Sequence, residues 1–323
     1  MRQDLVDAGT DSGNGLGREA RTPLHIPLRG WKAVVLRAFR EMASDRISLS
    51  AAGCAFYATL ALFPAISMLI SLYGLVFNPD TVAPQLQVIR RFLPAAAYQL
   101  IFDRINTLVT KPAQTLSIGL VVSTALAFWS ASSGTKSMLW SLNIAYEETE
   151  KRGVVRFYAT TFALTLMTVF GVILAVTALV LLPVVIGFLG LSQVSKGFIK
   201  ALGFLVVVAF VSVGLSVLYR FGPSRRGAAW HWITPGSAVA TVLWLLGSAL
   251  FSVYVGDVAN YSDTYGPIGA VVAVMMWFYV SVYVVLMGAE LNAELELQTS
   301  HDTTGRAQPM GSRGAFVADH VAR

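Results

Sequence analysis

The sequence predicts an all-α, polytopic membrane helix bundle of six spans with an N-terminal interfacial amphipathic helix, and three observations carry that prediction. Only 13% of the residues are charged and 55% are hydrophobic, with a mean hydropathy of +0.63. A water-soluble domain carries about 25% charged residues. Six long stretches contain no charge except at their ends, and the shortest still leaves 19 residues, close to the ~20 that cross a bilayer as a helix. None of the six alternates apolar with polar residues, as a barrel strand would.

Taken in order, the runs lie between Arg46 and Asp80, Lys111 and Lys136, and Arg156 and Lys196. They continue between Lys200 and Arg220, Arg226 and Asp257, and Asp263 and Glu290. The third is long enough for two spans, but Pro183 and the Gly187–Gly190 stretch favour one helix from about Phe157 to Val185 followed by a turn. Seven spans is the alternative.

Basic residues are unequally shared among the segments between runs. The chain before Ile47, the loop with Lys151, Arg152 and Arg156, the loop with Arg220, Arg225 and Arg226, and the C-terminal tail hold seventeen of the 24 Lys and Arg. The segments on the other side hold six. Positive residues stay on the cytoplasmic side, so both termini are expected there, which an even number of spans requires. The net charge of +6 is then an orientation signal, and no nucleic-acid partner is expected. Cys54 is the only cysteine, so no intramolecular disulfide and no cysteine-based metal or redox site can form. No cleavable leader with an apolar core is visible in the first 29 residues.

Residues 1–29 and 299–323 read as polar, disordered cytoplasmic tails, with a membrane domain over 30–298. Trp31, Val34, Val35, Ala38, Phe39 and Met42 recur at helical spacing, with Arg37, Arg40, Glu41, Ser44 and Asp45 opposite them. Such a helix lies in the interface with its basic residues near anionic headgroups, or packs under the bundle. Between the first two spans, Leu86 to Leu108 suggest two short amphipathic helices around Pro94.

Several residues are candidates for function. Pro64 in the first span frees a backbone carbonyl and can kink the helix; packing is the simpler reading and a gating hinge the other. Ser130, Ser132, Ser133, Gly134 and Thr135 form a small polar patch ending in Lys136. That lysine either faces a wet cavity or snorkels to the surface. Asn143 and Tyr146 continue the same helix as capping or cavity groups. Arg220, Arg225 and Arg226 either hold an anionic headgroup or anchor orientation, with Trp230 and Trp232 as an aromatic belt. His231 reads as an interfacial imidazole. Asp257 and Asp263 have no companion ligands, so no metal or other cofactor is implied. Glu290 and Glu294 are four residues apart at the C-terminal end of the last span. Acidic groups there oppose the helix dipole, so pairing with Arg37, Arg40, Lys136 or Arg220 would explain them; a solvated helix end is the plainer alternative.

The stretches SAAGCAFYATLALFPAI, WSASSGTKSMLWSLNIAYEETEKRG, LYRFGPSRRGAAWHWITPG and YGPIGAVVAVMMWFYVSVYVVLMGAELNAELE together resemble the YihY/BrkB family, over about Gly30 to Gln298. The resemblance implies a bacterial inner-membrane protein with six spans. It also brings labels of ribonuclease BN and of virulence, and proposals that members move envelope lipids. Polar groups inside the bundle and the amphipathic rim point first to translocation of a lipid or other amphiphile, with Pro64, Ser132, Lys136, Asn143, Glu290 and Glu294 as the residues in question. A non-transporting membrane scaffold for the envelope is the competing reading, and a ribonuclease the third. No Walker A motif is present, and small-residue faces allow a homo-oligomer without requiring one.

Overall fold

The computed structural model describes residues 16–76, 113–188, 193–225, 229–254 and 267–299. Among them there is no strand. After a 3-10 turn at Pro23–His25, the helices are α1 (Leu28–Ser44), α2 (Ile47–Val76), α3 (Ala113–Ala145), α4 (Val154–Phe188), α5 (Gln193–Phe221), α6 (Trp230–Val253) and α7 (Pro267–Leu297). Six of them, α2 to α7, contain segments long and apolar enough to cross a membrane: Ile47–Met68, Ile118–Ala145, Val154–Gly171, Gly203–Phe221, Trp230–Val253 and Gly269–Leu297. Large apolar side chains on these helices are exposed, among them Val121, Trp129, Phe170, Val213 and Leu250, as expected of surfaces solvated by lipid rather than water.

The third apolar run is one span, because α4 continues without a break through Pro183 to Phe188. The expected amphipathic helices around Pro94, the loop with Asp257 and Asp263, Arg226, and the outer parts of both tails lie outside the described residues.

The helices fall into two compact units divided across their lengths. One comprises Met1–Ala52, Thr135–Ala249 and Val280–Arg323; the other comprises Gly53–Gly134 and Leu250–Tyr279. In the second unit α2 and α3 meet at a small-residue contact. A Cβ on Gly134 would lie 3.6 Å from the Tyr57 Cβ, ordinary van der Waals contact of the kind small residues permit between membrane helices.

The first unit is joined by hydroxyl groups and close backbone approach. Thr165 of α4 donates to Thr135 of α3 at 2.9 Å, and Ser216 of α5 donates to Ser237 of α6 at 2.8 Å. Trp244 of α6 donates to Ser281 of α7 at 3.0 Å, and Tyr219 of α5 donates to the Val285 carbonyl of α7 at 2.7 Å. Away from water such bonds have few competitors. Gly236 of α6 and Gly288 of α7 sit face to face: a Cβ on Gly288 would lie 2.6 Å from the Tyr219 hydroxyl and 2.7 Å from the Gly236 carbonyl oxygen.

Two features of the N-terminal region rest on contacts that composition does not show. The stretch from Leu16 to Pro27 is tied to the end of α7. The carbonyls of Leu16, Arg18 and Ala20 accept hydrogen bonds from Gln298 and Thr299, and a Cβ on Gly30 would collide with the Leu16 carbonyl and Ile26. The glycines that suggest disorder by composition instead permit close approach. The faces of α1 also differ from the wheel. Val34, Ala38 and Met42 are buried with Gly30, but Val35 and Phe39 are exposed together with Leu28 and Leu36. Arg37 turns toward α7 because α7 offers it acceptors.

Candidate functional site

The polar residues converge on the last three turns of α7. From Gly288 to Thr299 every residue is buried, although the stretch includes Glu290, Asn292, Glu294, Glu296 and Gln298. Polar residues at every second position of a helix fall on opposite faces, so α7 presents two polar stripes, and each finds its own partners. The solvated-end alternative for Glu290 and Glu294 is therefore not what the fold adopts.

The first stripe, Glu290, Glu294 and Gln298, faces α1. Arg37 donates from Nε to Glu294 Oε2 at 2.6 Å, and from Nη2 to Gln298 Oε1 at 2.5 Å. Gln298 Nε2 then donates to the Leu16 carbonyl at 2.7 Å, which ties the N-terminal segment to the helix end. One turn earlier, Glu290 faces Glu41 of α1 and Asp45 just after it. One of its oxygens is buried with no hydrogen-bond partner among the described residues.

The second stripe, Asn292 and Glu296, faces α6 and the turn after α5. Asn292 Oδ1 accepts from the backbone N–H of Gly236 at 2.8 Å, next to Pro235, which cannot donate in its own helix. Arg225 makes a two-point pair with Glu296, both bonds 2.7 Å, with side chains only 5% and 1% exposed. The Arg225 guanidinium also lies 4.3 Å from the centre of the Tyr146 ring. Burial opposes its charge, but Glu296 outweighs this and raises the Arg225 pKa further. Burial likewise holds the Tyr146 phenol neutral, above the usual tyrosine range.

A third knot closes the same unit. Asn143 at the end of α3 donates to Glu150 at 3.0 Å and accepts from the Ser224 N–H at 2.7 Å. Glu150 pairs with Arg152 through two side-chain bonds of 2.7 Å, and Arg152 donates onward to the Gly222 carbonyl at 3.0 Å. A cation on the terminal carbonyls of α5 satisfies groups that have no partner inside the helix. Burial disfavours the charged Glu150, yet the bonds from Arg152, Ser224 and Asn143 outweigh it and bring its pKa down to about 2.

The structure thus gives Glu294, Asn143 and Arg225 each a partner from a distant part of the chain, Arg37, Ser224 and Glu296 respectively. Asn143 acts as a tie between two connecting segments. Arg220 stacks on Trp230, 4.5 Å from its ring centre, and keeps one buried nitrogen without a hydrogen-bond partner among the described residues. Lys136 lies 5.6 Å above the Tyr158 ring, and His231 tilts against Trp232. Pro64 and Ser132 lie in the second unit, each half-buried on its own helix. Sequence reasoning missed Asn292, Glu296, Glu150, Arg152 and Ser224. The polar alternation in ELNAELELQ was the available signal for the first two. Among the described residues no group of three or more His, Cys, Asp or Glu is placed to hold a metal ion.

The fold and this network define a multi-pass helical membrane protein whose helices are clasped at one end by buried ion pairs. The family described as "Virulence factor BrkB" matches residues 38–311, and the chain belongs to it. It is 33% identical over 250 residues to YfkH of Bacillus subtilis, which carries a ribonuclease-like label; the match covers 75% of this chain and 87% of YfkH. A UPF0761 membrane protein of Pseudoalteromonas translucida is 24% identical, covering 80% of this chain and 84% of its own. Another, from Aggregatibacter aphrophilus, is 24% identical with coverage of 82% and 92%. No solved structure matches the chain.

Proposed function

We propose that the protein spans the bacterial inner membrane six times with both termini in the cytoplasm, and that it translocates a lipid or other amphiphile, the buried network serving as its closed inner gate. The observation that carries this reading is the polar end of α7, six polar side chains buried in the twelve residues from Gly288 to Thr299. Buried ion pairs add little net stability over apolar packing, and their best-attested use is to fix a register or a switch. Two buried pairs, Arg37–Glu294 and Arg225–Glu296, tie α1 and the turn after α5 to one helix, with the Gly236–Asn292 hydrogen bond adding α6, an arrangement that suits an element that opens and closes. The seventeen basic residues on the network's side support its placement in the cytoplasm.

A reconstituted lipid-scrambling and transport assay tests the proposal, comparing the wild type with Glu290→Gln, Glu294→Gln and Lys136→Ala. Altered movement in variants that remain folded supports a gate at this end. A wild type that moves nothing across a broad lipid panel overturns translocation in favour of a scaffold. That second reading draws on the same network, since segment 16–27 strapped to α7 also makes a fixed docking platform.

A further inference from the structure

The outward face of α1 carries an inference that does not depend on translocation. Leu28, Lys32, Val35, Leu36, Phe39 and Arg40 are all exposed and fall at spacings of four, three, one, three and one residues, which places them on one side of a helix. Leu24, in the turn just before, is 93% exposed, Leu28 88% and Phe39 59%. Arg29 is exposed beside them. This is not the face that the sequence pattern offers to the interface, because the buried side is taken by Val34, Ala38, Met42 and the α7 contacts of Arg37. Glu41, the one acidic residue in α1, sits with Arg37 on the inward side toward Glu294. The outward face is therefore apolar along its middle and only positive in charge.

Its position fixes what it meets. Only Asp45 and Arg46 separate α1 from α2, which enters its apolar segment at Ile47. Arg46 takes a left-handed conformation, φ 51°, and so turns the chain sharply at that point. A helix held this close to the start of a span, tied by Arg37 to the end of another, lies at the depth of the headgroups. Apolar side chains there reach the acyl boundary while Lys and Arg remain among phosphates.

We propose that this face is a docking surface for anionic phospholipid, with Arg29, Lys32 and Arg40 on the headgroups and Leu28, Leu36 and Phe39 in the acyl region. Each Lys or Arg near an anionic surface raises partitioning by about fivefold, so the three together favour an anionic over a zwitterionic lipid by on the order of a hundredfold.

The test uses the full chain carrying Cys54→Ala and Val35→Cys, labelled with bimane and held in phosphatidylcholine nanodiscs. Brominated phosphatidylglycerol and brominated phosphatidylcholine are titrated as quenchers. Phosphatidylglycerol quenching the label at much lower mole fraction is the expected result. The preference should shrink to within about twofold in R29Q/K32Q/R40Q and persist in R29K/R40K, which keeps the charge. Equal quenching by the two lipids, or a preference untouched by removing all three charges, overturns the proposal. So does a label shielded from both lipids in a dimer that the charge removal dissociates, which would assign the face to a second copy. Loss of preference in R29K/R40K while K32Q retains it would also refute it, since charge and not guanidinium geometry is what is claimed.

Discussion

Consider the Arg225–Glu296 pair at the end of α7. Glu296 is 1% exposed and lies one residue before the last residue of the helix, where the helix dipole is unfavourable to a negative charge. Its two 2.7 Å bonds to Arg225 offset both the desolvation and the dipole. Replacing Arg225 by Met leaves the carboxylate buried, paired with nothing of opposite charge in that contact. Breaking a buried pair from one side costs about 3–5 kcal/mol, and the lost contact with the Tyr146 ring adds about 1 kcal/mol. Removing both charges in Arg225→Met/Glu296→Met should recover most of that loss, leaving the double variant within about 2 kcal/mol of the wild type. The measurement is reversible unfolding in mixed micelles with increasing dodecyl sulfate, followed by tryptophan fluorescence, on all four proteins of the cycle. The reasoning fails if the single substitutions cost under about 1 kcal/mol and add in the double variant, the behaviour of exposed surface pairs.

The remaining predictions rest on separate contacts. Arg37 is 19% exposed against Glu294 at 3%, so Arg37→Gln should cost less than the Arg225 change, roughly 1–2 kcal/mol in the same assay. Gly236→Ala drives a methyl into the Gly288 carbonyl oxygen and Asn292, which are backbone and a hydrogen-bonded side chain; a loss of about 1–3 kcal/mol is expected. Gly153→Ala meets nothing within 4 Å and is the matched control, expected within about 0.5 kcal/mol of the wild type. Glu150 has a folded pKa of about 2, below the ~4.3 of an unfolded glutamate. The stability it contributes is complete above the unfolded value and fades as pH falls toward the folded one. Unfolding curves for wild type and Glu150→Gln should therefore converge between about pH 4.3 and 2, and parallel curves across that window would count against the network around Asn143.

How far the sequence reveals the site can be seen by following single residues. Glu294 stands out because an acid at the C-terminal end of an apolar helix has no local reason to be there, and Arg37 is among the partners that charge alone suggests. Glu296, two residues on, has the stronger pair, yet it reads as an ordinary end-of-helix residue until the last turns of α7 are seen buried on all sides. Asn143 allows two readings by sequence, capping or cavity; only the approach of Glu150 from one side and Ser224 from the other makes it a tie. On α1 the hydrophobic wheel is misleading, because it assumes that the charged side is the wet side. Here α7 supplies carboxylates, so a charged side turns inward and an apolar side is left out.

The sequence by itself determined that this chain forms long apolar helices that cross a membrane, because twenty uncharged residues in a row leave the backbone no cheaper way to satisfy its hydrogen bonds in lipid. It also determined the imbalance of basic residues among the connecting segments. Tertiary structure decided which polar residues are buried, since a charge survives away from water only where a partner from a distant part of the chain meets it, as Arg37 meets Glu294 across 257 positions. Such partners are chosen by how helices pack, and packing depends on glycines such as Gly236 and Gly288, whose close approach has no signature in hydropathy.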